Sequence, residues 1–405
     1  MSNNPTQAGS RFLSLVLAGL FVAAFAGPAL ATWSIAVVNY ETGEVAVASA
    51  TCLANFNLKK NAGVVVVGKG AGQAQSMVDT DGVNRTTMAN SLQAGMTAQM
   101  IIDELIATDP QLNQHQYGVA VLGGGAGTYT GISTAQYTNG LTGNVGPIHY
   151  AIQGNVLTGE GVLMAAESAL VSTPGDLSQK IMAAMQAAKV FGGDGRCSCG
   201  LSPTACGCPP TYPPHVFPLP KKEKRKKSAH VSYMVIARIG DVDGVFQLPE
   251  GFANGSYYND IVITTTTPVD TVDMLQTAYN AWRVSWAGHA DHLNTEKVVI
   301  PRTIEADGGS KAELLIALAD IDNQSVPEVL GREITITHAD ESAGATLIGP
   351  VENLGHGTYS VTLAADSATG IDVFRIVVED GKGPVTLYPF PRLNVVAPPK
   401  AKRLH

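Results

Sequence analysis

Residues 27–44, GPALATWSIAVVNYETGE, mark the point where the folded chain is expected to begin. Upstream of them, the basic residue Arg11 precedes an uncharged apolar run that is too short to span a bilayer. A basic residue, a short apolar segment and a site of small residues are typical of a secretory signal peptide. Cleavage after Ala31 would leave Thr32 as the new amino terminus. A competing site after Ala26 would put a proline close behind the cut, so we favour the first site.

Composition sets the limits for the rest of the chain. It has 405 residues, of which 45% are hydrophobic and only 15% are charged. A chain of this length can bury a sizeable core and divide into two domains. The net charge of −8 gives no indication of nucleic-acid binding. No apolar run after the amino-terminal one is long enough for a membrane helix. We therefore expect an exported protein, secreted, periplasmic or at the cell surface.

The first part of the chain alternates groups of β-prone segments with groups of helical segments. One helix is expected to start at a capping residue, Thr97, and to stop before Pro110. Another helix is expected to begin at Pro174. Strands, a helix pair, strands and a second helix pair predict two sheets between two helix layers. The predicted strands are 32–38, 45–50, 62–70, 116–122, 128–132, 148–152 and 230–240, and the predicted helices are 87–93, 97–107, 160–172, 174–190 and 270–282.

The last part of the chain has a different pattern. After a polar connection at residues 286–296, short apolar segments recur at regular spacing and are separated by Gly, Asp and Asn. This spacing is typical of a β-sandwich of about 100 residues. The segment GTYSVTL at 357–363 resembles a strand that is common in bacterial immunoglobulin-like surface modules. We therefore predict an all-β immunoglobulin-like domain at 297–396 and a short tail at 397–405.

An insertion interrupts the first domain at residues 197–227. It is rich in Pro and then in Lys and Arg, a composition that cannot bury a core. Its basic run, Lys221 to Lys227, would either contact acidic polymers or lipid headgroups or simply be solvated.

Four of the five cysteines lie in this insertion, at Cys197, Cys199, Cys206 and Cys208. Such a tetrad either forms two disulfides, which we favour outside the cytoplasm, or binds zinc through four thiolates. The fifth, Cys52, is expected to be an unpaired, buried and small hydrophobic residue.

A threonine at the amino terminus has a chemistry that an internal threonine lacks. Its hydroxyl and its α-amine belong to the same residue, and the amine has a pKa of about 7.7 to 8, so it can act as a base near neutral pH. The hydroxyl oxygen can then attack a carbonyl and form an acyl-enzyme that water releases. The alternative is that Thr32 is only the first residue of a strand.

Several stretches of the first domain resemble the family catalogued as domain of unknown function 1028. The resemblance covers residues 32–285 without the insertion, and it implies an Ntn-hydrolase-like fold with four layers in the order αββα and a poorly defined reaction. This chain departs from the family pattern at Tyr40, where the turn usually has Pro, and in the insertion after Arg196. The stretches that carry the resemblance are 32–49, 70–75, 94–99, 150–159 and 192–196.

The resemblance also implies roles for particular residues. Thr32 matches the leading threonine of the family and would be the nucleophile. Asn155 would donate a hydrogen bond to the developing oxyanion, and Asp194 would orient the terminal ammonium or bind substrate. Asn and Asp beside Gly are also common in turns. Weaker candidates for substrate binding are Gln153, Gln75 and Ser49.

Other charged residues give less specific signals. Lys59, Lys60 and Lys69 lie at offsets where proteasome-like relatives keep an active-site lysine, and the sequence does not choose among them. The histidines show no metal-ligand spacing. The closest pair, His289 and His292, is expected on the surface of the connection.

These features predict an exported Ntn-type amidohydrolase that cleaves an amide, ureido or similar acyl bond of a small or peptide-like substrate. No cofactor, nucleic acid or membrane span is expected. The C-terminal domain would serve for attachment to a cell surface, and a homodimer is left open. The alternative is a non-catalytic cell-surface or extracellular matrix protein built on an Ntn-like scaffold.

Overall fold

The structure is a computed structural model that describes residues 32–134, 137–198, 227–265, 269–327 and 331–399. The predicted signal peptide and the cysteines Cys199, Cys206 and Cys208 lie outside the described residues, as does the basic run except for Lys227. In the described part, the chain has a mixed α/β region with antiparallel sheets, followed by a β-rich region.

Residues 32–285 contain all the described helices and the first twelve strands. The strands are β1 (Thr32–Asn39), β2 (Glu44–Thr51), β3 (Gly63–Val66), β4 (Gly70–Ser76), β5 (His115–Val121), β6 (Gly125–Thr130), β7 (Asn139–Val145), β8 (Ile148–Asn155), β9 (Val231–Ala237), β10 (Val242–Asp243), β11 (Gly255–Ser256) and β12 (Asn259–Thr264). The helices are α1 (Leu58–Ala62), α2 (Val83–Gln93), α3 (Ala98–Thr108), α4 (Gly161–Ser172), α5 (Leu177–Val190), α6 (Gly195–Ser198) and α7 (Thr271–Ser285).

The larger sheet has the strand order β12-β9-β2-β1-β8-β7, and neighbouring strands are antiparallel. Its strand β1 is paired on both sides, so that Thr32 lies opposite Thr51 of β2 and Asn155 of β8. Successive side chains of a strand point to opposite faces. Trp33 and Ile35 therefore share a face, and both belong to the apolar cluster formed with α4, α5 and α7.

The smaller sheet has the order β3-β4-β5-β6 and packs against the other face of the larger sheet. Ala36 and Val38 of β1 contribute to the cluster between the sheets, together with Val65 and Ala120. Helices α2 and α3 cover the outer face of the smaller sheet. Because β1 and β2 are covered on both faces, nearly all of their residues are buried, which explains their almost continuous apolar sequence.

Strand β4, with the sequence GAGQAQS, is formed by residues that rarely favour strands. Its glycines allow close packing: a Cβ at Gly72 would lie 2.3 Å from the sulfur of Met88 in α2. A larger residue at this position would require the Met88 side chain to shift.

The ends of two helices test the predicted caps. Thr97 caps α3, and its side chain accepts a hydrogen bond from the backbone N–H of Met100, which confirms the prediction. Helix α5 does not begin at Pro174; it begins at Leu177, after a capping box formed by Asp176 and Gln179. In the ranges that the structure covers, no helix is both long and apolar enough to cross a membrane.

The β-rich region has a core of its own, shared by two sheets. One sheet has the order β13-β15-β18-β17; the other has the order β14-β21-β19-β16, with β20 paired to β19. Its strands are β13 (Glu296–Ile300), β14 (Thr303–Glu305), β15 (Lys311–Ala317), β16 (Glu333–His338), β17 (Thr346–Gly355), β18 (Thr358–Ala365), β19 (Gly370–Glu379), β20 (Pro384–Leu387) and β21 (Arg392–Val396).

The connection between the two regions differs from the sequence-based expectation. Ala290, Asp291 and His292 are at most 2% exposed, so the prediction that His292 lies on the surface is wrong. Asp291 accepts a hydrogen bond from buried Arg238, at 2.7 Å, and Ala290 belongs to the core of the β-rich region. Its paired partner in the prediction, His289, is only partly exposed and contacts the Asp380 carboxylate. The connection is thus packed against both regions.

Candidate active site at the start of strand β1

Three polar side chains form a row across the end of the larger sheet. They are Thr51, Thr32 and Asn155, which lie opposite one another on β2, β1 and β8. Residues paired in this way point to the same face, here the face toward the smaller sheet. The Thr32 hydroxyl lies 3.4 Å from the Thr51 hydroxyl, and Thr32 is 1% exposed in the full-length chain.

Ser49 and Gln153, two of the predicted substrate-binding residues, lie one position deeper between the sheets. Both pair with Ser34 across the strands, and both are buried. Ser49 donates a hydrogen bond to the Trp33 carbonyl, and Gln153 donates one to the Gln73 carbonyl. The structure places both side chains in the hydrogen-bonded interior between the sheets.

Gln75, the third candidate, contacts the row itself. Its side-chain nitrogen donates to the carbonyl oxygen of Thr32, at 3.2 Å, and its oxygen accepts from the Ser34 hydroxyl, at 2.7 Å. Gln75 therefore helps to fix the backbone of Thr32.

A cavity of about 10 Å³ lies beside Thr32. The described residues that line it include no lysine. Lys59 forms an ion pair with Asp260, and Lys69 lies exposed in the turn before β4, at the far end of that strand. The third candidate, Lys60, is half-buried in α1. The lining residues are Thr32, Phe56, Leu58, Asn61, Ala62, Ala74, Gln75, Ser76, Met77 and Val78.

The backbone is strained at two residues that adjoin Asn155, one in space and one in sequence. Ser76 has φ of 76° and Val156 has φ of 52°, although neither residue type favours the left-handed region. The Asn155 side-chain nitrogen donates to the Ser76 hydroxyl oxygen, at 3.3 Å, and Val156 follows Asn155 directly. Both strained residues therefore bear on the position of one amide side chain.

Asp194 lies in the loop that follows α5, where Gly192 and Gly193 have positive φ values. A Cβ at Gly193 would lie 2.6 Å from the Trp33 ring, so this position needs glycine. The loop is hydrogen-bonded to the segment after Asn155: Gly195 N–H donates to the Val156 carbonyl. The structure thus brings together two of the stretches that carry the family resemblance, 150–159 and 192–196.

The Asp194 carboxylate is fully buried and pairs with Arg196, at 2.9 Å. Burial raises the pKa of Asp194, and the positive charge of Arg196 opposes this change. Arg196 also reaches the Thr51 hydroxyl, at 3.5 Å. Hydrogen bonds thus link Asp194 to Thr32 through Arg196 and Thr51.

The cysteine predictions need correction. Cys52 is not an unpaired residue: it forms a disulfide with Cys197, across a sequence separation of 145. Cys197 is therefore bonded outside the predicted tetrad, so in this oxidised state it cannot also be a thiolate ligand of a four-cysteine zinc site. The backbone N–H of Cys52 donates to Asp194, at 2.7 Å. The disulfide therefore lies directly beside the Asp194–Arg196 pair.

His230 lies next to this disulfide. Its nearest ligand atom and the two sulfurs all lie within 4.8 Å of one another, and its Nδ1 contacts the Thr265 carbonyl at 3.2 Å. Burial lowers the pKa of His230, and Lys227 lowers it further.

Four residues of this site were not among the predicted ones: Thr51, Ser76, Arg196 and Cys52. Thr51 is the last residue of β2 and Ser76 is the last residue of β4, and neither belongs to a sequence motif. Arg196 belongs to a recognised stretch, and its fixed spacing from Asp194 was the one signal that pointed to it. The pairing of Cys52 with Cys197 carries no local signal, because disulfide connectivity cannot be deduced from spacing alone.

Comparisons with known proteins give matches to parts of the chain. A family of unknown function, DUF1028, matches residues 32–202. No curated protein gives a significant match. Among solved structures, SPO2555 from Silicibacter pomeroyi, described with the DUF1028 family, has 16% identity and a TM-score of 0.43, over 62% of this chain and 88% of that chain.

Two proteins of Yersinia pseudotuberculosis, the adhesin InvE and InvD, are similar over a shorter part. InvE has 26% identity over 28% of this chain and 29% of its own, with a TM-score of 0.23. InvD has 22% identity over 26% and 28%, with a TM-score of 0.22. The chain therefore spans less than a third of either protein. The match to DUF1028, a family of unknown function, begins at Thr32 and includes the candidate site.

Proposed function

We propose that residues 32–285 form an exported Ntn-type amidohydrolase, with Thr32 as the amino-terminal nucleophile after removal of residues 1–31. Its substrate would be a small or peptide-like compound with an amide, ureido or similar acyl bond. The observation that carries the proposal is the position of Thr32 as the first residue of the doubly paired strand β1, between Thr51 and Asn155. The family match that begins at the same residue supports it.

The layer order also supports the proposal. One sheet is covered by α4, α5 and α7, the other by α2 and α3, and the two sheets pack face to face. This is the αββα order that the resemblance implies for an Ntn-hydrolase-like fold. The β-rich region would then be a separate immunoglobulin-like module that serves for attachment.

The proposed reaction uses only groups of Thr32 and its neighbours. The free α-amine of Thr32 accepts the hydroxyl proton while the hydroxyl oxygen attacks the substrate carbonyl. The ammonium then protonates the leaving nitrogen as the C–N bond breaks, which leaves an ester on Thr32. Water, deprotonated by the same amine, hydrolyses the ester and releases the acid.

Asn155 would donate a hydrogen bond to the oxyanion of each tetrahedral intermediate. One such donor contributes about 2.7–4 kcal/mol in a transition state. The Asp194–Arg196 pair would act by positioning, since Arg196 contacts the Thr51 hydroxyl that lies beside Thr32.

Processing is essential to this proposal. In the full-length chain the α-nitrogen of Thr32 is part of a peptide bond and is not a base. Thr32 is also buried there. We therefore expect the full-length chain to be inactive and the processed chain to be the reactive form.

The first prediction is that the exported protein begins at Thr32 and is labelled there by an acyl-reactive electrophilic probe. Thr32→Ala keeps the amine but removes the nucleophilic oxygen, so labelling should be lost while the fold remains. Thr32→Ser should keep part of it. Amino-terminal sequencing and intact mass measure the first point, and mass spectrometry of the labelled peptide measures the second.

The matched control is Thr108→Ala, which changes an exposed threonine of α3 and should leave labelling unchanged. Another amino terminus, or equal labelling of wild type and Thr32→Ala, would rule out the proposed nucleophile.

A non-catalytic surface or matrix protein is the second candidate. It is favoured by the size of the cavity beside Thr32 in the full-length chain, because a volume of about 10 Å³ is too small for a substrate. Absence of labelling in a chain that is shown to begin at Thr32 would favour this candidate.

A further inference from the structure

We propose that Cys52, Cys197 and His230 form a divalent metal site when the protein is reduced, at the place that the disulfide occupies when it is oxidised. One ligand atom from each residue lies within 4.8 Å of the other two. Two thiolates and one imidazole are ligands that Zn²⁺ prefers, and three protein ligands leave one tetrahedral position for water. The inference does not depend on any reaction of Thr32.

The hydrogen bond that His230 makes to the backbone suits a metal ligand. Its Nδ1 lies 3.2 Å from the carbonyl oxygen of Thr265, and a carbonyl oxygen can only accept. Nδ1 therefore carries the proton, and Nε2 has a free lone pair. A backbone carbonyl that holds the second ring nitrogen in this way is a common support for metal-binding histidines.

The two states are related by a balanced exchange. A dithiol reductant gives two electrons and two protons to the Cys52–Cys197 disulfide and itself becomes a disulfide. A divalent ion then displaces the two thiol protons and binds both thiolates. Cys197 is buried, whereas Cys52 is partly exposed, so a reductant would approach from the side of Cys52.

The metal would maintain the link that the disulfide provides. Cys52 follows β2, and Cys197 lies in α6, directly after the Asp194–Arg196 pair. The N–H groups of both cysteines donate to Asp194, that of Cys52 to the carboxylate and that of Cys197 to the carbonyl. Two thiolates neutralise a divalent ion, so binding adds no net charge beside this buried ion pair.

The test uses the full chain with Cys199, Cys206 and Cys208 replaced by Ser, so that only the two cysteines of the site remain. After reduction with a phosphine, Co²⁺ is added. We expect one equivalent to bind with a sulfur-to-cobalt charge-transfer absorption, Zn²⁺ to displace it, and Zn²⁺ to raise the melting temperature. The same protein in its oxidised form is the matched control and should bind none.

His230→Gln in this background separates the full site from two thiols alone, and we expect it to weaken binding at least tenfold. Unchanged affinity in His230→Gln, or no charge-transfer band in the reduced background, would overturn the proposal. Reduction that unfolds the chain in a way that Zn²⁺ does not reverse would also overturn it.

Discussion

At the scale of single residues, the backbone around Asn155 differs from the rest of the described chain. Outside glycine, positive φ values occur there at five described positions, and three of them are Asn or His, which tolerate this region. The other two, Ser76 and Val156, both bear on Asn155. Such conformations cost about 1–3 kcal/mol each and persist where the surrounding structure enforces them. The five positions are Asn55, Ser76, Val156, Asn323 and His356.

We therefore expect Ser76→Gly to separate stability from reactivity. Glycine removes the strain, so the melting temperature should stay the same or rise. It also removes the hydroxyl that holds the Asn155 amide, so the rate of Thr32 labelling in the processed chain should fall about tenfold or more. Thermal melts and labelling kinetics measure the two effects.

Two further variants control this result. Ser76→Ala removes the hydroxyl but keeps the strain, and it should lower labelling as well. Asn323→Gly relieves a positive φ in the β-rich region and should leave labelling unchanged. If Ser76→Gly lowers stability and labelling in parallel, Ser76 has only a structural role.

The sequence could reveal Thr32 more readily than its neighbours. The apolar pattern predicts a strand at residues 32–38, and β1 occupies Thr32–Asn39. Asn155 and Asp194 stand out through the family resemblance, and their roles stay predictions. Ser76 gives no signal, because its φ is set by contacts between distant segments and not by its residue type.

At the scale of elements, the connection between the two regions buries a titratable side chain, that of His292. The pKa of His292 is well below its usual range because burial disfavours the imidazolium, and Arg238 and Lys297 lower it further. The unfolded chain takes up a proton on this residue near pH 6.5, whereas the folded chain does not. Stability from this residue is therefore present above that pH and is lost as the pH falls.

We expect the melting temperature to fall between pH 7.5 and pH 5.5, and His292→Leu to reduce this fall. The maximum slope for one such group is about 1.4 kcal/mol per pH unit. Melting curves at a series of pH values measure it. His149→Leu, which changes a partly exposed histidine of β8, should leave the fall unchanged. A His292 variant that keeps the full acid sensitivity would contradict this assignment.

The elements that the sequence predicted well are those with strong apolar patterns, such as β1, β2 and β9. Strands β4 and β7 were missed because they consist of small and polar residues. In β4, close approach of α2 at Gly72 takes the place of bulky side chains. This kind of packing depends on a partner that is distant in sequence, so a local pattern does not reveal it.

At the scale of the whole molecule, the two regions have separate apolar cores and are joined by ion pairs. The apolar clusters of the first region use residues between Trp33 and Trp282, and the β-rich region has its own. Between them, Arg283 of α7 forms ion pairs with Asp176 of the first region and Asp322 of the second. We propose that the first region folds alone and that these contacts add to its stability.

A chain that ends after Thr295 should therefore fold and keep Thr32 labelling, but it should melt several degrees lower. Truncation removes Asp322 and exposes Ala290 and His292, and about 1 kcal/mol corresponds to about 2–4 °C for a region of this size. Asp322→Asn in the full chain isolates the ion pair and should account for only part of the loss. An unfolded or unreactive truncated chain would show that the two regions form one unit.

The Cys52–Cys197 bond also makes a closed covalent loop of the chain between those residues. Strands β3 to β8 lie within the loop, whereas β1 and β9 lie on the two ends that leave it. A single peptide-bond cleavage anywhere in the loop, for example beside Ile132, which is 87% exposed, would release no fragment. A protein nicked in this way would keep its mass on a non-reducing gel, and the cut would become visible only after reduction.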